Sequence, residues 1–256
     1  MMIATWNVNS LKVRLPQVLG WLESKKPSIL CLQETKCPDD AFPVEAFAEA
    51  GFHVAFSGQR TYNGVAILSQ APLQEVNTNP SCLNDVGKRV VAATVGDLRI
   101  VSVYAPNGQA PDSEKYLYKL AWYAYLTDWV KTELARYPAM ILAGDFNVAP
   151  DDRDVYDPKA WQGHVLVTEK EREAFRRLLQ IGFYDALRLF TEDGGIYTWW
   201  DYRQGAFWRN WGLRIDHVLL SETLKNKLLR AEVDRKARGA KKTSDHAPLV
   251  VTLKDV

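Results

Sequence analysis

The sequence predicts a single α/β domain, and three observations carry that prediction. Short β-rich runs recur along the whole chain, helical patterns lie between them, and several runs are apolar at every position, as in strands buried on both faces. No Gly-, Ser- or Pro-rich linker, fixed-period repeat or low-complexity stretch divides the 256 residues, a length that one hydrophobic core can serve. With 47% hydrophobic and 25% charged residues, the composition excludes a disordered or fibrous chain.

Taken in order, strands are expected at Ile3–Val8, Ser28–Gln33, Val65–Ser69, Val90–Val95, Leu98–Tyr104, Ala139–Ala143, Ile196–Trp200, Ile215–Leu220 and Leu249–Leu253. A helix is expected over Leu15–Glu23, with Pro16 suited to its first turn, where a missing N–H is harmless. Ser113–Tyr137 places Leu117, Leu120, Tyr123, Leu126, Val130 and Leu134 three or four apart, the spacing of one helix face. Thr168-Glu-Lys-Glu171 is a capping box, followed by Phe175, Leu178 and Leu179 and stopped near Gly182.

The longest apolar runs fall far short of the ~20 residues that a membrane-spanning helix needs. Met1–Trp6 lacks the basic segment and long apolar stretch of a signal peptide. Cys31, Cys37 and Cys82 cannot all pair and show no metal-type spacing with the four histidines, so a reducing cytoplasm is expected. Net charge is +1, from 32 basic and 31 acidic residues, and a protein holding nucleic acid by charge alone is usually more basic. The distribution is uneven: Lys225–Lys242 holds eight basic and two acidic residues, a local excess of six.

Polar residues cluster where the expected strands end. Asp145 and Asn147 follow an apolar strand two positions apart, so in extended chain they face one pocket. They either offer oxygens to a hard cation or form an Asx-type turn. Glu34 sits at the tip of Pro27–Gln33, as a ligand or as a solvated loop residue. Asn7 ends the first strand, and Trp6-Asn7-Val8 is echoed by Phe146-Asn147-Val148, which places two amides at comparable strand ends. In Leu213–Leu220, alternation puts Arg214 and Asp216 on one face and Leu213, Ile215 and His217 on the other. Asp216 then needs a hydrogen-bond partner, and His217 reads as a core histidine. Asp245-His246, before Pro248, fits a metal ligand beside a general acid/base, or simple turn chemistry. Together Asn7, Glu34, Asp145, Asn147, Asp216, Asp245 and His246 supply carboxylates and amides for Mg²⁺ and one imidazole for proton transfer. That inventory fits metal-assisted phosphoester hydrolysis. Neither G-x-S-x-G nor a P-loop is present, which disfavours acyl transfer and nucleotide-driven motors.

Thr5-Trp-Asn-Val-Asn-Ser10, Leu32-Gln-Glu-Thr-Lys36, Tyr62-Asn-Gly-Val-Ala-Ile67, Gly144-Asp-Phe-Asn-Val-Ala149, Gly212-Leu-Arg-Ile-Asp216 and Ser244-Asp-His246 occur in that order. Over nearly the whole chain this resembles the exonuclease III family of apurinic/apyrimidinic DNA endonucleases, within the endonuclease/exonuclease/phosphatase superfamily. The resemblance implies a four-layer α/β/β/α sandwich with two mainly antiparallel sheets face to face. It implies Asn7, Glu34 and Asp245 as metal ligands, with Asp145 and Asn147 sharing that role, and Mg²⁺ as the ion, Mn²⁺ substituting. Asp145 would orient or deprotonate the attacking water, Asn147 would hold the scissile phosphate, Tyr104 would aim its hydroxyl at phosphate or water, and Asp216 would bond His246. The partner implied is double-stranded DNA with abasic sites or 3′ ends, cut 5′ to the abasic site or trimmed as exonuclease and 3′-phosphatase, by a monomer. Gln33, Lys36, Asn63, Lys119 and the Arg235–Lys242 stretch, Lys241 included, are candidate DNA contacts, with His246 at the scissile phosphate. Trp199, Leu213 and Ile215 occupy the positions that line a pocket for the baseless sugar, and Trp161 and His164 would touch DNA near it. Leu213 departs from relatives that carry Trp there. Three rivals remain: a 3′-end processing enzyme with little abasic-site cleavage, a phosphatase acting on soluble or lipid phosphates, and an inactive DNA-binding scaffold.

Overall fold

Runs that are apolar throughout occupy the middle of sheets, and mixed runs occupy their edges. The computed structural model describes residues 1–78, 80 and 87–254; Cys82 lies outside them. The strands are β1 (Met2–Asn7), β2 (Ile29–Gln33), β3 (His53–Ser57), β4 (Val65–Ser69), β5 (Gln74–Asn77), β6 (Val90–Val95), β7 (Leu98–Tyr104), β8 (Met140–Asp145), β9 (Phe183–Asp185), β10 (Trp199–Trp200), β11 (Gly212–Leu213), β12 (Asp216–Ser221), β13 (Leu228–Val233) and β14 (Leu249–Leu253). One six-stranded sheet runs β13-β14-β1-β2-β4-β3, a second runs β5-β6-β7-β8-β12-β9, and β10 pairs with β11. β2, β4, β6 and β8 are buried along their whole length, whereas β3, β5 and β13 alternate or face solvent.

Each large sheet has one parallel pair, β1 with β2 and β7 with β8, and its other pairs are antiparallel. A parallel pair needs a crossover. The helices Leu11–Lys25 and Glu114–Arg136 provide them. Ile3, Ile29, Ile67 and Val251 meet Val91, Ile100, Ile141 and Val218 between the sheets. Val18, Trp21 and Leu22 cover the outer face of the first sheet, and Trp122, Leu126, Phe175 and Leu178 cover that of the second. This is the expected four-layer sandwich. Among the described residues no helix is long and apolar enough to cross a membrane.

The structure departs from the sequence reading in four respects, each for a tertiary reason. The first helix begins at Leu11, leaving Pro16 inside it. The Ser10 and Leu11 N–H groups donate to the Glu34 and Thr35 carbonyls (2.7 and 2.9 Å), so the end of β2 sets that start. In Glu114–Arg136 the buried face holds Tyr116, Lys119, Trp122 and Tyr123, while Leu117 is 62% exposed. The expected strand Ile196–Trp200 shrinks to Trp199–Trp200, because Thr198 Oγ1 accepts the Ile215 and Asp216 N–H groups (3.1 and 3.0 Å). The edge strands β3, β5, β9 and β13 lack the long apolar run that announces a central strand. The Asn7/Asn147 echo also marks unlike positions. Asn7 ends the first strand of its parallel pair, and Asn147 follows the second of the other pair.

β7 and β8 approach so closely at Gly144 that a Cβ there would lie 1.9 Å from the Val103 carbonyl oxygen. Gly144→Ala must push the strands apart beside Asp145, and overpacking of this kind costs typically about 1–3 kcal/mol. Urea unfolding of the variant should show that loss, and an unchanged midpoint would refute the close-approach account.

Candidate active site

The C-terminal ends of β1, β2, β7 and β8 reach one edge of the sandwich, and there the two sheets exchange hydrogen bonds. Asn7 Nδ2 donates to Glu34 Oε1 and to Asp145 Oδ2, both at 2.8 Å. The Asn9 backbone N–H donates to Asn7 Oδ1 (2.9 Å), which fixes which end of the amide is the oxygen. Asn7 is therefore a clasp between two carboxylates, with its oxygen turned to its own chain. Glu34 leaves β2 with φ of 49°, in the left-handed region that non-glycine residues seldom occupy. Its carbonyl receives the Ser10 N–H, and the next residue, Thr35, donates its N–H to Gly64 O (3.1 Å). Gly64 is required there, since a Cβ would fall 2.1 Å from Thr35 Oγ1.

Asp145 and Asn147 do both things that their spacing allows. The Asn147 N–H donates to Asp145 Oδ1 (2.9 Å), which closes an Asx turn, while Asp145 Oδ2 faces Asn7. Asn147, at φ 49°, donates Nδ2 to Ala105 O (2.9 Å) and accepts Asn107 Nδ2 on Oδ1 (3.3 Å). Across the β8–β12 ladder Asp145 lies opposite Asp216. Asp216 Oδ2 is 2.8 Å from His246 Nδ1, and His246 Nε2 is 3.8 Å from Asp145 Oδ2. Glu34, Asp145 and His246 thus bring one ligand atom each within 4.8 Å of one another.

Burial and charge set the protonation of this group. Burial, reinforced by Asp216, lifts Asp145 to about 7 against the opposing pull of His246 and Asn7. Burial alone would lower His246, but the charge and hydrogen bond of Asp216 outweigh it and raise the imidazole to about 10. Tyr104 is pushed well above its usual range by burial and by Glu34 and Asp145, so its phenol stays a donor. Burial opposes ionisation of Asp245 as well, yet His246, the Trp199 indole and the Asn9 amide hold it low.

Asp245 stands apart from the three-residue cluster. Its Oδ1 accepts Asn9 Nδ2 and its Oδ2 accepts Trp199 Nε1, both at 3.0 Å. Gln33 and Lys119 cannot contact DNA as expected. Gln33 is the last residue of β2 and alternation turns it between the sheets, where it accepts Thr5 Oγ1 and donates to Ser102 Oγ (both 3.2 Å). Lys119 is wholly buried against Glu171. Leu213 and Ile215 are likewise buried with Val155, Leu166 and Val167, packed against Trp161 and Trp199, and they present almost no surface. Lys36 is half-buried and lies 2.9 Å from Glu34 Oε2. Asn63, Trp161 and Trp199 are half-buried, and His164 and Lys241 are exposed. Arg214 does not share a face with Asp216. The strand breaks after Leu213, and the guanidinium turns inward to Asp154 (2.7 and 3.1 Å), Asp185 (2.6 Å) and His217 Nδ1 (2.9 Å). His217 is a satisfied core histidine, with Nε2 on the Val148 carbonyl at 3.0 Å. Asn9 and Asn107 belong to the site without having been singled out. Each stands just past a strand end, the same signal that marked Asn7 and Asn147.

The chain matches the model of the endonuclease/exonuclease/phosphatase family over residues 4–246. It is 34% identical to an exodeoxyribonuclease of Bacillus subtilis (strain 168), covering 97% of this chain and 98% of the relative. It superposes on a 3′ phosphatase, NExo, from Neisseria, solved bound to a product DNA hairpin, with a TM-score of 0.98, 45% identity and 100% of both chains covered. An AP endonuclease from Archaeoglobus fulgidus gives a TM-score of 0.96 and 38% identity, again over 100% of both chains.

His246 is raised above its ordinary 6.5, so in the metal-free protein the pair with Asp216 stabilises the fold fully below that pH and is lost as pH rises toward about 10. NMR titration of the imidazole should show one histidine still charged at pH 8, and Asp216→Asn should return it toward the ordinary range. A titration unmoved by that substitution would sink the pairing.

Proposed function

Because the chain belongs to the endonuclease/exonuclease/phosphatase family, we propose that the edge bearing Glu34, Asp145 and His246 cleaves a DNA phosphodiester 5′ to abasic sites and trims 3′ ends. The chain is a hydrolytic DNA-repair nuclease. The bond chosen and the role of each residue are our reading, supported above all by the convergence of two carboxylates and one imidazole within 4.8 Å, with Asp216 behind the imidazole.

The donor set fits Mg²⁺, with Mn²⁺ as substitute. It offers hard carboxylate oxygens and no thiolate, and an imidazole kept protonated does not ligate. Glu34 and Asp145 would hold the ion, which supplies neutralisation of charge on the phosphoryl and leaving oxygens. A phosphodiester is anionic and repels nucleophiles. His246, charged and braced by Asp216, offers a donor to a phosphoryl oxygen where charge develops. Asp145, in its ionised form, orients the attacking water or accepts its proton. The Asn147 amide and the Tyr104 phenol steady the phosphate. Lys36, Asn63, Trp161, His164, Trp199 and Lys241 are the proposed DNA contacts of a monomer. The free thiols of Cys31 and Cys37 suit a reducing cytoplasm.

A second reading, 3′-end trimming with little abasic-site cleavage, draws on the burial of Leu213 and Ile215 and on the higher identity to the Neisseria 3′ phosphatase than to the archaeal AP endonuclease. A 5′-labelled duplex with one internal abasic analogue, run beside a recessed 3′-phosphate duplex, separates the two. Incision beside the analogue, silenced by EDTA and restored by Mg²⁺, supports the first reading; 3′ processing alone supports the second; metal-independent activity refutes both.

Asp145→Asn and His246→Asn should each lower turnover by on the order of 10²–10⁴ while filter binding of duplex DNA survives. Undiminished turnover in either would remove the mechanism.

A further inference from the structure

Lys119 was expected at the DNA surface, but its ammonium has three donors and all three are spent inside the protein. They go to the carbonyl oxygens of Asn107 (3.0 Å) and Asn147 (2.6 Å) and to Glu171 Oε1. Lys119 and Glu171 are both wholly buried. Glu171 is itself held, because Oε1 also accepts the Leu166 N–H and Oε2 the Thr168 N–H (both 3.0 Å). One turn further along the same helix, the Tyr123 hydroxyl donates to the Phe146 carbonyl. Two side chains of one helix face therefore grip successive carbonyls, Phe146 and Asn147, directly after Asp145. Their grip falls where Asn147 holds a left-handed backbone that an ordinary residue would leave.

We infer that Lys119, assisted by Tyr123, is a positioning residue of the nuclease, fixing the Asp145–Asn147 turn and the Asn107 loop against each other. The inference rests on the roles proposed above for Asp145 and Asn147. The Asn107 amide, which bonds Asn147 Oδ1, is placed through the same ammonium. Lys119 touches neither phosphate nor metal in this account. It keeps two polar turns in register across the mouth of the second sheet.

Replacing Lys119 alone strands a buried carboxylate, so the informative variant is Lys119→Met with Glu171→Gln, accompanied by the milder Tyr123→Phe. The control is Arg99→Met with Glu133→Gln. Arg99 and Glu133 form a largely buried pair, and Arg99 sits near the start of β7, the far end from Tyr104. Displacement of reacting groups by about 1 Å can cost 10²-fold. The Lys119 double variant should therefore lose about 10- to 100-fold in kcat with KM for a 3′-recessed duplex changed less than about threefold, and Tyr123→Phe should lose less in the same direction. The control should keep kcat within about twofold at a comparable drop in Tm. Wild-type kcat in the folded Lys119 variant, an equal loss in the control, or a rise in KM at constant kcat would each overturn the inference. Absence of cleavage by the wild-type protein would instead strike at the proposed nuclease site.

Discussion

Asp145 and Asp216 are paired across two adjacent antiparallel strands, and both are buried. Like charges directly opposite each other in a sheet repel, and burial sharpens the repulsion. The fold bears them because His246 stands beside both, and because the Asn7 N–H group reaches Asp145 from the other sheet. The rest of the edge follows from that arrangement. β1 and β14 must deliver an amide and an imidazole to the place where β8 and β12 deliver carboxylates. A face-to-face sandwich whose strand ends share one edge does so.

The backbone around this charge cluster is correspondingly constrained. Glu34 and Asn147 both adopt left-handed conformations, and each is held from two directions: Glu34 by the start of the first helix and the Gly64 turn, Asn147 by Lys119 and Ala105. Such strain persists only where the surroundings over-determine it. The basic stretch after Leu228 has a similar double character. Arg235, still exposed, lies 5.2 Å over the Trp200 ring and the buried Arg238 5.0 Å over Phe207, so part of its positive charge also packs the aromatic residues around β10.

Much of this was legible in the sequence. Uniform apolar runs mark the central strands because two buried faces demand them, and the Thr168/Glu171 capping box forms as its spacing requires. Glu34, Asp145, Asp216 and His246 were legible because a polar residue at the tip of a buried strand needs a reason to be there. What escaped depends on three-dimensional partners. Alternation along Leu213–Leu220 could not reveal the break that turns Arg214 inward toward Asp154 and Asp185. Nothing in the pattern of Glu114–Arg136 says that a lysine would take a core position, since its partner Glu171 lies 52 residues away. Gln33, at a strand end, looks available to DNA until the opposite sheet supplies Ser102. The chemistry lay in the local pattern, and the direction of each side chain lay in the packing.

Glu171 serves two masters: it begins a helix and it neutralises the ammonium beneath the Asn147 turn. Evolutionary drift at that position is therefore not free. In descendants of this chain an uncharged residue at 119 should survive chiefly alongside a changed 171, and a helix start that looks like routine surface maintenance inherits the selection acting on the nuclease.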